Sequence, residues 1–201
     1  MILIGYSGHA YVVAGILLAA GKKINGYCDV SEKKSNPFNL AYIGSETSAA
    51  AINAFKGDEF FIAIGDNDIR TKIYNGLQKQ NLFPANAIHP SAVIDATAAL
   101  AKQGVMVAAN VTINPLVTVG IGAICNTGAI IEHECSIGHF AHVGPGAVLC
   151  GNVQVGDGAF IGAHAVVRQG IKIGKNAVIG AGAVVVKNVA DAVTVMGVPA
   201  K

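Results

Sequence analysis

Three ionisable side chains stand together in an otherwise charge-poor half of the chain: Glu132, His133 and Glu134. An imidazole beside a carboxylate is suited to proton transfer. The carboxylate holds one ring nitrogen and fixes the tautomer, which raises the basicity of the other nitrogen. Glu134 is the expected orienting group, and Asn126 in the preceding hexad offers an amide to a neighbouring polar group. An ordinary histidine, with a pKa near 6.5, can accept a proton at neutral pH, an effect typically worth about 10²–10⁴-fold in rate. The other histidines carry less. His139 and His164 read as solvated corner residues, while His9 and His89 belong outside the prism formed by the repeats described below. No H-x-H or H-x-x-x-H pattern with carboxylates recurs, so no metal is expected. The four cysteines (Cys28, Cys125, Cys135, Cys150) form no C-x-x-C pair and read as reduced thiols of a cytosolic protein.

The elements that must position this pair repeat in sixes. Ile113, Val119, Cys125, Ile131, Ile137, Val143 and each sixth residue on to Val185 form one frame, aliphatic throughout except for Cys125. Two residues before each stands a small or aliphatic residue, as in Ala123, Ala129, Cys135 and Ala141. A period of six fits neither an α-helix nor a hairpin sheet. It fits a parallel β-helix in which each hexad is a short strand plus a corner and three hexads close one triangular coil. Residues eighteen apart then stack directly.

His133, two after the inward Ile131, projects from the prism. Gly151, one coil on, leaves an open notch beside it. Cys135, two before Ile137, turns inward, so no acyl-enzyme is expected. His142 falls half a coil from His133, so the two do not share one small centre within a chain. If both serve one site, that site lies between two chains, and a cyclic trimer suits a triangular prism. The frame begins earlier, at Ile88, Ile94, Leu100 and Met106. The seven-residue step from Met106 to Ile113 predicts a bulge or an enlarged corner there.

The first 85 residues read differently and predict a small α/β domain, with residues 86–201 forming the β-helix. Strands are expected at Met1–Tyr6, Ile24–Asp29 and Phe60–Ile64. Helices are expected at Ala10–Ala20, around Glu46–Phe55, and at Ile69–Gln80, the last exposed and amphipathic through Ile69, Ile73 and Leu77. This alternation gives a parallel, Rossmann-like sheet. Ligands bind outside the carboxyl ends of such strands, which here carry Ser7-Gly8-His9, Asp29 and Gly65-Asp66-Asn67. The first is a turn opening onto a helix N-terminus, where a phosphate is favoured. G-x-G-x-x-G is absent, so NAD is not the natural ligand. Asp29 is placed to accept hydrogen bonds from a base or ribose.

With 52% hydrophobic and 13% charged residues the chain buries much of itself, and a net charge of +2 argues for neither nucleic acid nor an acidic membrane surface. Val12–Ala20, the longest apolar run, is too short to span a membrane, and no basic segment precedes it as in a signal peptide.

The hexads, the Gly-Val-Pro-Ala-Lys ending at Lys201 and the string Asn126…His133-Glu134-Cys135…His142 resemble the hexapeptide-repeat acyltransferases. With Gly5-Tyr6-Ser7-Gly8-His9 and Phe61-Ile62-Ala63-Ile64-Gly65-Asp66-Asn67-Asp68-Ile69-Arg70 in front, the whole chain resembles the sugar N-acetyltransferases of the PglD/NeuD/PerB type. The resemblance implies a left-handed β-helix, a homotrimer with sites between subunits, and a cytoplasmic role in bacterial glycan biosynthesis, as for bacillosamine. It implies acetyl transfer from acetyl-CoA to the 4-amino group of a nucleotide-linked 4-amino-4,6-dideoxy sugar, UDP being the expected nucleotide. His133 would be the general base, Glu134 its orienting carboxylate and Asn126 the amide near it. His142, Gly151, Ala163 and Ala181 would line the acetyl-CoA site; Ser7, Gly8, His9, Asp29, Gly65 and Asn67 would hold the nucleotide sugar. Two departures stand out: Cys28-Asp29 where the family often has two acids, and Tyr6 where a small residue is common, an aromatic expected to narrow the phosphate turn. Sugar O-acetylation, a non-catalytic solenoid and a zinc-dependent γ-type carbonic anhydrase are the alternatives.

Overall fold

The computed structural model describes the whole chain, Met1 to Lys201. The front unit contains four short parallel strands, β1 (Ile2–Ile4), β2 (Gly26–Cys28), β3 (Ala41–Gly44) and β4 (Phe60–Ile62), in the order β3-β2-β1-β4. The order reverses between β1 and β4, so the crevice beyond their carboxyl ends is where a ligand of an open α/β sheet is held. The sequence predicts three of these strands. The fourth, β3, is the edge strand Ala-Tyr-Ile-Gly, only partly buried, and its pairing with β2 shifts register between Tyr27 and Cys28. So short and exposed a strand leaves almost no hydrophobic signature.

Helix α1 (Gly8–Ala19) packs on one side of the sheet; α2 (Ala49–Gly57) and α3 (Asn67–Gln78) join the separate cluster of Ile2, Ile4, Cys28, Phe60 and Ile62. Helix α1 is apolar on most of its surface because it is covered twice. Ala10, Val13, Ala14 and Leu17 share one core with Leu3 of the sheet and with Ala87, Val105 and Met106 of the first coils. The two units are thus welded by a continuous apolar core.

Helix α3 departs from its expected orientation. Its buried residues are Arg70, Tyr74 and Leu77, while Ile69 is exposed. Two stripes at helical spacing were available in the sequence, and the one headed by arginine faces inward.

From Ala87 onward the chain winds as a left-handed β-helix with three faces. The first face carries Ala87, Met106, Ile124, His142, Phe160, Val178 and Thr194 at its outward positions; the second carries Val93, Thr112, Ile130, Val148, Val166 and Val184; the third carries Ala99, Thr118, Ser136, Gln154 and Lys172. Strands pair eighteen residues apart, as in Ile124↔His142 and Ile131↔Leu149. The frame residues from Ile113 to Val185 are buried, and so are the small residues two before them.

The phase slip lies elsewhere than the sequence reading put it. Ala87 pairs with Met106, Ile94 with Ile113 and Leu100 with Val119, each nineteen apart, whereas Val107 already pairs with Cys125 at eighteen. The extra residue therefore sits in the corner Ala101–Val105, where Gly104 has φ +68°. Val107, not Met106, is the inward residue. Met106 points outward and is buried because the front unit covers it.

The second-face strand edge at the far end is closed by the tail. Val184 donates to the Gly197 carbonyl (3.0 Å) and accepts from the Ala200 amide (2.9 Å). No helix is long and apolar enough to cross a membrane.

Candidate active site

His133 stands on the corner between the second and third faces. Its Nδ1 lies 3.0 Å from Glu134 Oε2. A carboxylate can only accept, so this nitrogen carries the proton and Nε2 is left as the acceptor. Glu134 adopts φ +61°, an uncommon conformation for a residue with a side chain, which brings the carboxylate alongside the ring. Gly151 lies beneath: a Cβ there would stand 2.5 Å from Cε1 and 2.6 Å from Nε2 of His133. The imidazole thus occupies the volume that glycine leaves free, with about half its surface (49%) open.

Cys135 sits inside the same corner. Its thiol donates to the Cys150 carbonyl (3.2 Å), and burial pushes its pKa up to about 11. It remains a neutral thiol, unsuited to attack a thioester.

Asn126 is not beside His133. It ends a first-face strand, a full edge of the triangle away, and its side chain faces outward like its neighbour His142 one coil on. Its Nδ2 lies 3.1 Å from His142 Nε2, and His142 Nδ1 lies 3.3 Å from the Gly65 carbonyl. The ring therefore donates to Gly65 and accepts from Asn126. Burial holds its pKa down at about 4, with the charge of Arg70 adding to the effect.

His9 also departs from its expected place. It leaves the phosphate turn and lies against Gly65, its ring 6.0 Å from that of His142. Its buried Nε2 has no partner, and burial, with Arg70, lowers its pKa to about 4. Both rings are neutral at physiological pH.

The residues expected at acetyl-CoA are distributed likewise. Gly151 shares the corner of His133, whereas Ala163 and Ala181 stack on the corner between the first and second faces. Within one chain these four residues do not line one groove.

Four of the six residues expected at the nucleotide sugar, Ser7, Asp29, Gly65 and Asn67, line two neighbouring cavities. One, of about 600 Å³, opens beyond the carboxyl ends of the front sheet and is lined by Ser7, Asp29, Lys33, Glu46, Ile69 and Lys72 among others. That Ile69 faces it accounts for the exposed isoleucine on α3. Ser7 caps α1 without using its side chain, and nothing lies within 4 Å of the point where Gly8 would carry a Cβ. The helix start is therefore open to an anion. Asp29 lines this cavity and is already engaged within the chain. Its carboxylate accepts from the amides of Tyr6 (2.9 Å) and Val30 (2.8 Å) and pairs with Lys33 Nζ (2.9 Å). Tyr6 does not narrow the turn. Its ring is buried, stacks on Tyr27 at 4.2 Å and bonds Asn36, anchoring the 31–39 segment.

The second cavity, about 520 Å³, lies where the front unit meets the first face and is lined by Gly65, Asn67, His142 and Phe160. Asn67, expected at the sugar, is used otherwise: its Nδ2 donates to the Gly158 and Ala159 carbonyls (2.8 and 3.3 Å). Gly65 likewise gives its carbonyl to His142 and Arg70. Sequence reading missed Arg70, which lies fully buried at this junction; its signal was the spacing of Arg70, Tyr74 and Leu77 on one helical stripe. No three His, Cys, Asp or Glu side chains group as a metal site; His133, His139 and His164 stand on three different corners.

Residues 1–77 match the family model for the PglD N-terminal domain, and residues 134–169 and 152–187 match that for the bacterial transferase hexapeptide (six repeats). PerB from Caulobacter crescentus, solved in complex with CoA and GDP-perosamine, is 37% identical, with a TM-score of 0.91 over 100% of this chain and 95% of that one. The acetyltransferase domain of PglB from Neisseria gonorrhoeae, solved with acetyl coenzyme A, is 31% identical, with a TM-score of 0.89 over 100% of this chain and 97% of that one. WeeI from Acinetobacter baumannii, at 23% identity, shares the fold (TM-score 0.87, covering 100% and 97%).

Proposed function

The chain belongs to the hexapeptide-repeat sugar N-acetyltransferases with a PglD-type front domain, acyltransferases that work with acetyl-CoA, and on that footing we propose that it acetylates the 4-amino group of a nucleoside-diphosphate-linked 4-amino-4,6-dideoxy sugar in glycan biosynthesis. The observation that carries the mechanism is the His133 ring, with Nδ1 bound to Glu134 and Nε2 directed into the notch over Gly151.

The neutral amine attacks the thioester carbonyl carbon, and His133 Nε2 takes the proton that the nitrogen must shed. The C–S bond then breaks, and the CoA thiolate leaves and takes up a proton. Glu134 holds the imidazole in the tautomer that can accept and stabilises the imidazolium that forms. Cys135 takes no part, so the transfer is direct.

The nucleotide occupies the cavity beyond β1 and β4, its diphosphate at the α1 N-terminus near Lys33 and Lys72, and the sugar runs past Gly65 into the junction cleft beside His142. That places the amine at the first face, a triangle edge from the same chain's His133. We therefore assign His133 of one chain and the His142 cleft of a second to one reacting centre, in a cyclic trimer. The outward side chains support this assembly. On the third face they are mostly polar, whereas the second face exposes an aliphatic stripe including Ile130 (38%), Val148 and Val166 (36%). A copy seated on that stripe buries it and brings Ala163 and Ala181 to the His133 notch.

The test is acetyl-CoA-dependent thiol release with a panel of UDP- and GDP-linked 4-amino sugars and their 4-hydroxy counterparts. Turnover on a 4-amino member is expected, and His133→Ala should abolish most of its kcat without dissociating the assembly. Turnover confined to the hydroxyl sugars would replace N- by O-acetylation. Near-wild-type kcat in His133→Ala would remove the base.

A further inference from the structure

Arg70 is the largest side chain buried to within 2% of full coverage, and no carboxylate pairs with it. Every arm of its guanidinium is occupied. Nε donates to the Gly122 carbonyl (2.8 Å), Nη1 to those of Ile64 (3.1 Å) and Gly65 (3.0 Å), and Nη2 to Asn67 Oδ1 and the Phe140 carbonyl (both 2.8 Å). Gly122 and Phe140 belong to the β-helix corner between the third and first faces; Ile64, Gly65 and Asn67 belong to the front unit. Asn67 extends the link with its own bonds to Gly158 and Ala159.

A buried charge with no carboxylate in ion-pair contact, Asp66 acting on it only from a distance, is a poor way to stabilise a junction that already shares an apolar core, since a well-packed hydrophobic side chain serves as well or better. What the planar guanidinium supplies is direction. Its donors leave in a fixed fork, so carbonyls from two units are held at set angles as well as set distances. The front-unit carbonyls it grips are those of Ile64, which lines the strand-end cavity, and Gly65, which lines the junction cleft.

We propose that Arg70, with Asn67, is a positioning device that fixes the point where the nucleotide cavity passes into the sugar cleft, so that nucleotide binding sets the amine at reacting distance. The inference rests on the function proposed above. Neither residue is assigned contact with a reacting atom. Their effect is to let binding energy at the remote nucleotide orient the sugar.

The prediction separates two acceptors. Arg70→Lys keeps the charge but loses the fork, and Asn67→Ala removes the bonds to Gly158 and Ala159 should the first variant fold poorly. Each full-length variant is assayed with a nucleotide-linked 4-amino sugar and with the methyl glycoside of the same sugar, alongside calorimetric binding of the free nucleoside diphosphate. For the nucleotide-linked acceptor kcat should fall on the order of 10²-fold, the cost of about 1 Å of misplacement. KM and nucleotide affinity should stay within about threefold, as expected when orientation rather than uniform binding is lost. Slow transfer to the methyl glycoside, which has no nucleotide to orient it, should fall far less. An equal fall on both acceptors, or none on the nucleotide-linked one, overturns the proposal. A wild-type enzyme inactive on every amino sugar overturns the function itself, whereas an active wild type with an indifferent Arg70→Lys overturns the positioning role alone.

Discussion

Gly151→Ala tests the active-site corner most directly. The added methyl would stand 2.5 Å from Cε1 and 2.6 Å from Nε2 of His133, and an ordinary contact needs about 3.4 Å. The ring must therefore move by roughly 0.9 Å. It is half exposed and can swing outward, and Gly151 has no left-handed φ that a side chain would strain. Gly151 is buried, but the movable imidazole is the nearest group the methyl meets, so the cost to the fold should stay at about 1 kcal/mol, partly offset by the reduced freedom of the unfolded chain. Catalysis has no such escape. A base displaced by about 1 Å loses on the order of 10²-fold in rate, about 2.7 kcal/mol of transition-state stabilisation. Steady-state kinetics should show kcat reduced by that factor while thermal melting shifts by no more than a few degrees. A Gly151→Ala enzyme that keeps more than half of wild-type kcat would show that the imidazole does not work from the position it occupies here.

Other consequences are open to simpler measurements. Cys135→Ala should retain activity within about twofold, with at most about 1 kcal/mol of stability lost from a small buried void; a folded but inactive variant would point to a covalent route. His9 and His142 both titrate near 4 in the folded chain, against about 6.5 when unfolded. Below pH 6.5 the unfolded state binds protons that the folded state refuses, so this stability is full above 6.5 and is lost as pH falls towards 4. The melting temperature should drop across that window, and His142→Gln should flatten the slope; parallel slopes for variant and wild type would contradict the assignment. Val166→Glu, on the aliphatic second face, should yield folded but inactive monomers in sedimentation, and an intact trimer would place the subunit contact elsewhere.

Much of the architecture was legible because it is periodic. A hexad frame leaves no freedom in where each strand falls, so the eighteen-residue register and the notch of Gly151 under His133 follow from counting. Counting failed at the one extra residue. Met106 and Val107 are both apolar and buried, and only the front unit packed over Met106 shows which faces inward. The α/β unit was read with three strands because β3 has too few buried residues to announce itself. At the site, local spacing identified the His133–Glu134 pair but could not assign Asn126, whose partner His142 lies sixteen residues on and is adjacent only through the coil. Asp29, Gly65 and Asn67 stand at the expected strand ends, yet the Gly65 carbonyl is engaged by Arg70, the Asn67 amide by the Gly158 carbonyl, and the Asp29 carboxylate accepts from the Tyr6 amide. Such partners come from distant parts of the chain, and residue type alone does not reveal them.

The tail folded over Val184 has a bearing on colloidal behaviour. A stack of parallel coils is one repeat away from a fibril, since each exposed rung is a template for the next chain's backbone. By turning the last amide and carbonyl of that rung onto Gly197 and Ala200, the protein spends its own backbone on the growing end. Removing those bonds would bare the Val184 rung while leaving His133 and Glu134 in place, and a greater tendency to end-to-end association is the expected result.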